Sequence, residues 1–130
     1  MYEKTTKDIS ITVRPFYLDE QSSPDEEHYV WAYRVCIENC GDQTVRLINR
    51  HWRITDKLGR MQEHKGPGVV GEQPTLKPGE TYEYTSGTPL PTPSGIMVGS
   101  YEMESEEGMR FEVEIPAFSL DSPYDLATVN

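Results

Sequence analysis

The chain has 130 residues and a formal net charge of −10, enough for one hydrophobic core and too short for two. Hydrophobic residues make up 35%, below the ordinary globular range. Eight Tyr, three Phe and two Trp still supply large apolar surfaces, so one folded domain is expected over residues 3–127. No apolar run approaches the length of a membrane-spanning helix. The start, Met1-Tyr2-Glu3-Lys4-Thr5, lacks an apolar signal core, which makes the cytoplasm the expected compartment and a membrane no expected partner.

In chain order the hydrophobic period is two almost throughout. Ile9, Ile11 and Val13 alternate with polar residues until Pro15, which suits an edge strand. The polar stretch Asp19 to Glu27 reads as a loop. Tyr29, Trp31, Tyr33, Val35 and Ile37 then alternate over a long strand, and Asn39-Cys40-Gly41-Asp42 reads as a turn. In the next run Val45 and Leu47 hold one parity, while Ile48, Trp52 and Ile54 hold the other. One extra residue near Leu47-Ile48 corrects the phase, so a β-bulge or a change of sheet is expected there. Asp56-Lys57-Leu58-Gly59 is a turn. From Gly66 to Gly79 three prolines exclude a helix. Thr81 to Ser86 and Ile96 to Glu104 are strands around a proline-rich connection, Pro89 to Pro93.

Register arithmetic places the last hairpin. A three-residue loop Glu106-Glu107-Gly108 pairs Met103 with Phe111, Tyr101 with Val113 and Gly99 with Ile115, all facing inward. It also sets Gly108 where a type I turn plus bulge needs a positive φ. The same register opposes Glu104 to Arg110 and Glu102 to Glu112 on the outer face. About seven short strands in one domain point to an all-β, two-sheet sandwich. Leu76-Lys77-Pro78-Gly79-Glu80-Thr81-Tyr82 resembles the turn and tyrosine corner of fibronectin type III domains. There Gly79 makes the turn, and the Tyr82 hydroxyl reaches back to loop backbone while its ring fills the sandwich.

Cys36 and Cys40, on one strand, would stand roughly 13 Å apart at about 3.3 Å per residue. A disulfide needs Cα atoms closer than about 7 Å, so two reduced thiols are expected. Charge is uneven. Residues 66–130 hold two basic against eleven acidic residues, whereas the segment 46–65 holds six basic against two acidic. The acidic total opposes non-specific nucleic-acid binding but leaves room for a local anion site.

Gly66-Pro67-Gly68-Val69-Val70-Gly71 matches G-x-G-x-x-G, a pattern that lets backbone approach a pyrophosphate and offer successive N–H donors. The dinucleotide version also needs a following helix and an acid about 20 residues on. Pro74 and Pro78 forbid the helix and Pro91 occupies the counted position, so a Rossmann site is excluded. Two readings stay open: a sandwich loop that needs glycines for its backbone angles, or a phosphate loop formed by Gly66, Gly68 and Gly71 with Lys65 and Arg60.

Several ordered motifs carry a family resemblance. They are Gly68-Val69-Val70-Gly71-Glu72-Gln73-Pro74, Leu76-Lys77-Pro78-Gly79-Glu80, Tyr84-Thr85-Ser86-Gly87, the run from Thr92 to Tyr101, and Ile115-Pro116-Ala117-Phe118-Ser119-Leu120. With Ile11-Thr12-Val13 and Arg50-His51-Trp52, the whole resembles the ApaG family of bacterial proteins. The resemblance implies a fibronectin type III-like sandwich. It also implies a role in protein contacts, as for similar domains of eukaryotic F-box proteins and a polymerase-interacting protein. In bacteria it implies a genetic link to cobalt and magnesium tolerance and to a neighbouring diadenosine-tetraphosphate hydrolase. A pyrophosphate-binding role for Gly66, Gly68 and Gly71 is implied too, with no settled biochemical activity.

Chemistry-bearing constellations are few. His28, His51 and His64 stand apart, no metal-ligand spacing of His or Cys occurs, and Ser86 lacks a nucleophile elbow. No enzyme and no cofactor are therefore expected. Val30 and Ala32 make the strand from Tyr29 to Ile37 apolar on both faces. Either the termini (Tyr124, Leu126, Val129) cover it, or a protein partner or second copy does. Glu102 and Glu112 form a candidate loose Mg²⁺ or cobalt site, the other reading being an acidic face that keeps the hairpin soluble.

Overall fold

Two antiparallel sheets arise from the alternation just described. The computed structural model describes residues 1–125. The first sheet has the order β1-β2-β3-β7, with β1 Tyr2–Thr6, β2 Ile9–Tyr17, β3 Tyr29–Asn39 and β7 Thr81–Leu90. The second has the order β5-β4-β8-β9, with β4 Val45–Asp56, β5 Met61–Pro67, β8 Ser94–Ser105 and β9 Arg110–Asp121. A short β6, Thr75–Leu76, also pairs with β4. The result is the expected all-β sandwich, with nine strands among the described residues rather than about seven. No helix among the described residues is long and apolar enough to cross a membrane.

The register arithmetic holds. Met103 faces Phe111, Tyr101 faces Val113, Gly99 faces Ile115 and Glu102 faces Glu112, and Gly108 has φ +81°. The phase change in β4 is a bulge between Leu47 and Asn49. A second irregularity, between Met97 and Gly99 on the β8–β9 ladder, falls beside Pro116, which cannot donate to a ladder. Cys36 and Cys40 are both free thiols.

Three expectations need correction. Ile9 to Val13 do not form an edge, because β1 pairs with them on one side and β3 on the other. Pro15 lies just past the end of β1, where β2 does become an edge and the missing N–H costs nothing. The proline-rich connection is shorter than read, since Pro89 and Leu90 continue β7. The Tyr82 hydroxyl donates to Glu72 Oε2 at 3.0 Å rather than to loop backbone, and its ring is only half-buried. The hydroxyl inside the sandwich belongs to Tyr84, which meets that of Tyr101.

The core is aromatic at its centre. Trp52 packs edge-on against Tyr33, Tyr101 and Phe118 at centroid distances of 5.5, 6.5 and 6.0 Å, the geometry that aromatic quadrupoles favour. Along one side the sheets are stitched together. Lys4 of β1 pairs with Glu114 of β9, Tyr2 lies on Phe118 at 6.0 Å, and Trp31 Nε1 donates to the Asp121 carbonyl at 2.8 Å. Tyr124 packs on Tyr17 and Tyr29, at the inward face of β3. Val30 and Ala32 remain half-buried on the outer face, next to the exposed Phe16. Leu126, Val129 and the expected domain end at 127 lie outside the described residues. On the opposite side of the sandwich the edges β5 and β7 are not joined.

Candidate functional site

A cleft of about 480 Å³ occupies that open side. Its walls come from the two unjoined edges, Gln62 and His64 of β5 and Tyr84 and Ser86 to Pro89 of β7. Tyr33, Arg50, Trp52 and Ile54 form its floor, and Val69, Val70 and Gly71 its rim. Its residents follow from strand parity. Beyond the bulge at Ile48, Arg50 shares the inward parity of Trp52 and Ile54, and it faces Tyr101 on β8 and Gly66 on β5.

The glycine motif is built around that arginine. Arg50 Nη1 donates to the carbonyls of Pro67 and Gly68, each at 2.9 Å. A Cβ on Gly66 would stand 2.9–3.1 Å from the Arg50 guanidinium, so the bare glycine leaves room for it. At Gly68 a Cβ would stand 2.2 Å from the Glu72 carbonyl oxygen. Val69 and Glu72 exchange two backbone hydrogen bonds, at 2.8 and 2.9 Å, around Val70 and Gly71, whose φ angles are +43° and +83°. That is a two-residue type I′ turn.

This geometry bears directly on the phosphate reading. The N–H of Gly68 is bonded to the Ile48 carbonyl, and those of Val69 and Glu72 to each other's carbonyls. The loop turns two carbonyls, not amides, toward its nearest cation. Arg60 is not part of it. Its Nε donates to Asp56 Oδ2 at 2.8 Å, at the far end of β5, and six extended residues at about 3.3 Å each put roughly 20 Å between Arg60 and Gly66. Lys65 faces the other way. It pairs with His51 and borders an outer-face groove with Ser100, Glu102 and Glu112. Of the five residues expected to form a phosphate site, the three glycines share one loop, Lys65 lines the outer-face groove together with Gly66 and Arg50, and Arg60 stands apart. Arg50, not among the five, is hydrogen-bonded to the loop.

Glu102 and Glu112 do oppose each other across the β8–β9 ladder. The Glu102 carboxylate accepts from Asn49 Nδ2 at 2.7 Å and from Arg110 Nη1 at 3.0 Å, while Arg110 Nε reaches Glu104 at 2.9 Å. Among the described residues no three His, Cys, Asp or Glu side chains come together as a metal would need. Gly79, with φ +86°, makes the expected turn before β7.

Electrostatics in the cleft favour neutral phenols beside one fixed cation. Burial pushes the Tyr84 and Tyr101 hydroxyls up, well above an ordinary phenol. Burial raises Tyr33 too, against a Ser86 hydrogen bond and the Arg50 charge, which pull it down. These hydroxyls therefore stay protonated and can donate or accept.

Val70 is the strained element of the rim. A β-branched residue at φ +43° is rare, and here it is 56% exposed, so core burial does not explain it. Strain of this kind collects where a site needs a particular surface. Val70→Asn should raise stability by about 1 kcal/mol, because Asn tolerates the left-handed region far better. The expected outcome in a urea titration is a higher midpoint with an unchanged slope.

Two antiparallel sheets, joined on one side and parted on the other, define an all-β sandwich domain with a cleft at its free edges. The family model for the ApaG domain matches residues 19–105, and the chain belongs to that family. Protein ApaG of Paramagnetospirillum magneticum is 68% identical over 130 residues, the full length of both chains. Protein ApaG of Parvibaculum lavamentivorans is 64% identical over 124 residues, 95% of each. The crystal structure of a Bordetella pertussis protein called ApaA superposes with a TM-score of 0.87 at 52% identity, covering 90% of this chain and 95% of that one.

Proposed function

We propose that this domain is a non-catalytic protein-interaction module that takes an extended segment of a partner along the free edge of β7. The observation that carries the reading is the ladder phase. Asn39 of β3 donates its N–H to Glu80 and accepts from Gly79, so the odd residues of β3 turn their polar groups toward β7. Their partners are the even residues of β7. The N–H and C=O groups of Thr81, Glu83, Thr85 and Gly87 accordingly point away from the sheet. Pro89, which has no N–H, falls on the same outward parity and is harmless there. An unpaired row of this kind is a template for strand addition, and the cleft beside it can take alternate side chains.

A phage-displayed random decapeptide library tests this reading. Binders should shift the amide resonances of Thr81 to Gly87, and Thr85→Pro should weaken them at least tenfold while the fold persists. No binders, or binders insensitive to Thr85→Pro, would overturn it. The pyrophosphate reading draws on Arg50 and on the N–H groups of Val70 and Gly71, which lie between the two hydrogen bonds that close the turn. It predicts heat on titration with ATP or pyrophosphate, lost in Gly68→Val, whereas strand addition predicts none.

A further inference from the structure

We infer that the cleft seats an acidic side chain of the segment paired along β7, with the Arg50 guanidinium as its partner. The inference rests on the strand-addition reading and adds to it the chemistry of one bound residue.

Charge distribution is the first support. The chain carries 22 Asp and Glu against 12 Lys and Arg, yet the cleft is lined by Arg50 and His64 and by no carboxylate. Arg50 forms no ion pair among the described residues. Its Nη1 is anchored by two carbonyls, which fixes the plane of the group, while its Nε and Nη2 carry donors with no acceptor among the described residues. A guanidinium offers a planar fork matched to a carboxylate. Arg50 is only partly exposed and bounded by Trp52 and the tyrosines, where water screens a pair less than at an open surface. The anchoring lowers the ordering cost of binding.

Position selects the kind of carboxylate. Arg50 stands opposite Tyr101 on the β4–β8 ladder and lines the cleft together with Tyr33 and Tyr84. Tyr84 lies within β7, whose free edge runs on past it in both directions. The segment therefore passes Arg50 rather than ending there, and an internal Asp or Glu meets it. The overall negative field repels acidic chains at long range, so the fitting segment holds one acidic residue in an otherwise neutral or basic sequence.

The test uses the full chain and a positional-scanning library of acetylated, amidated decapeptides, read by fluorescence anisotropy. Asp or Glu should be favoured about tenfold or more over Asn or Gln at one position. Arg50→Lys should reduce that preference, and Arg50→Gln should remove it while leaving residual binding that Thr85→Pro removes. Equal affinity for the Glu and Gln peptides would overturn the inference and leave strand addition standing. Preference for a free C-terminal carboxylate over its amide would overturn it as well. Binding of no peptide would overturn both readings. Should Arg50→Gln not fold, the Glu-to-Gln comparison on the unaltered chain decides the matter alone.

Discussion

Gly68→Ala should lower the thermal midpoint by about 10 °C with no ligand present. The added Cβ would stand 2.2 Å from the Glu72 carbonyl oxygen and 2.9 Å from its carbon, which is backbone and cannot swing aside. The residue also sits at φ +63°, where a side chain costs about 1–2 kcal/mol. Relief requires the 69–72 turn to pull away. That strains the bond from Gly68 N–H to the Ile48 carbonyl, draws Val69 out of the core, where it is 1% exposed, and removes an acceptor from Arg50. Together these give about 3 kcal/mol, which at this chain length is about 10 °C. Gly71→Ala is the matched control. It has a positive φ of +83° but nothing within 4 Å of the new Cβ, so only the backbone term of about 1 kcal/mol applies. A scanning calorimeter should rank the two variants in that order. Equal melting of Gly68→Ala and wild type would mean that the motif serves only a ligand.

Asn39→Ala should cost about 3 kcal/mol in a urea titration. Asn39 is 1% exposed and ties three chain segments together at the end of β3. Its Nδ2 donates to the Gln43 carbonyl at 2.7 Å and to the Leu76 carbonyl at 3.0 Å, and its Oδ1 accepts from Gly41 N–H at 3.0 Å. Truncation leaves these backbone groups without partners, the buried one at a desolvation cost of about 1–3 kcal/mol, and opens a polar hole as well. Asn39→Asp should be at least as damaging although it preserves shape. It places an oxygen against two carbonyls that need donors; the carboxylate supplies none and the protonated acid only one. A melting curve for Asn39→Asp like that of wild type would refute this account of the corner.

Much of the fold was legible in the order of residues because a sheet with one buried face must alternate. Met103, Tyr101 and Gly99 could pair with Phe111, Val113 and Ile115 in only one way that kept all of them inside, and the ladder has that register. The bulge at Ile48 was legible as a change of parity. Neither β1, Tyr-Glu-Lys-Thr-Thr, nor β5, Met-Gln-Glu-His-Lys-Gly-Pro, announced itself. Neither has a face buried in the core. The inward residues of β5 look into a cleft instead, so no hydrophobic alternation marks them. The strand that borders the site was hidden for the same reason that it borders a site.

The sequence alone therefore determined the sandwich, its final hairpin, the glycine spacing and the family. The surroundings of those glycines were decided only by tertiary structure. The N–H groups of Gly68, Val69 and Glu72 are engaged by the carbonyls of Ile48, Glu72 and Val69, and the cation hydrogen-bonded to the loop comes from a neighbouring strand. Lys65 and Arg60, the basic residues nearest the motif in order, are carried away from it. Strand alternation turns Lys65 to the opposite face, and an extended strand places Arg60 about 20 Å off. Arg50, sixteen positions before Gly66, is brought back against it by an antiparallel ladder. Proximity in a sheet is set by pairing across strands, which residue order leaves open until the whole sandwich closes.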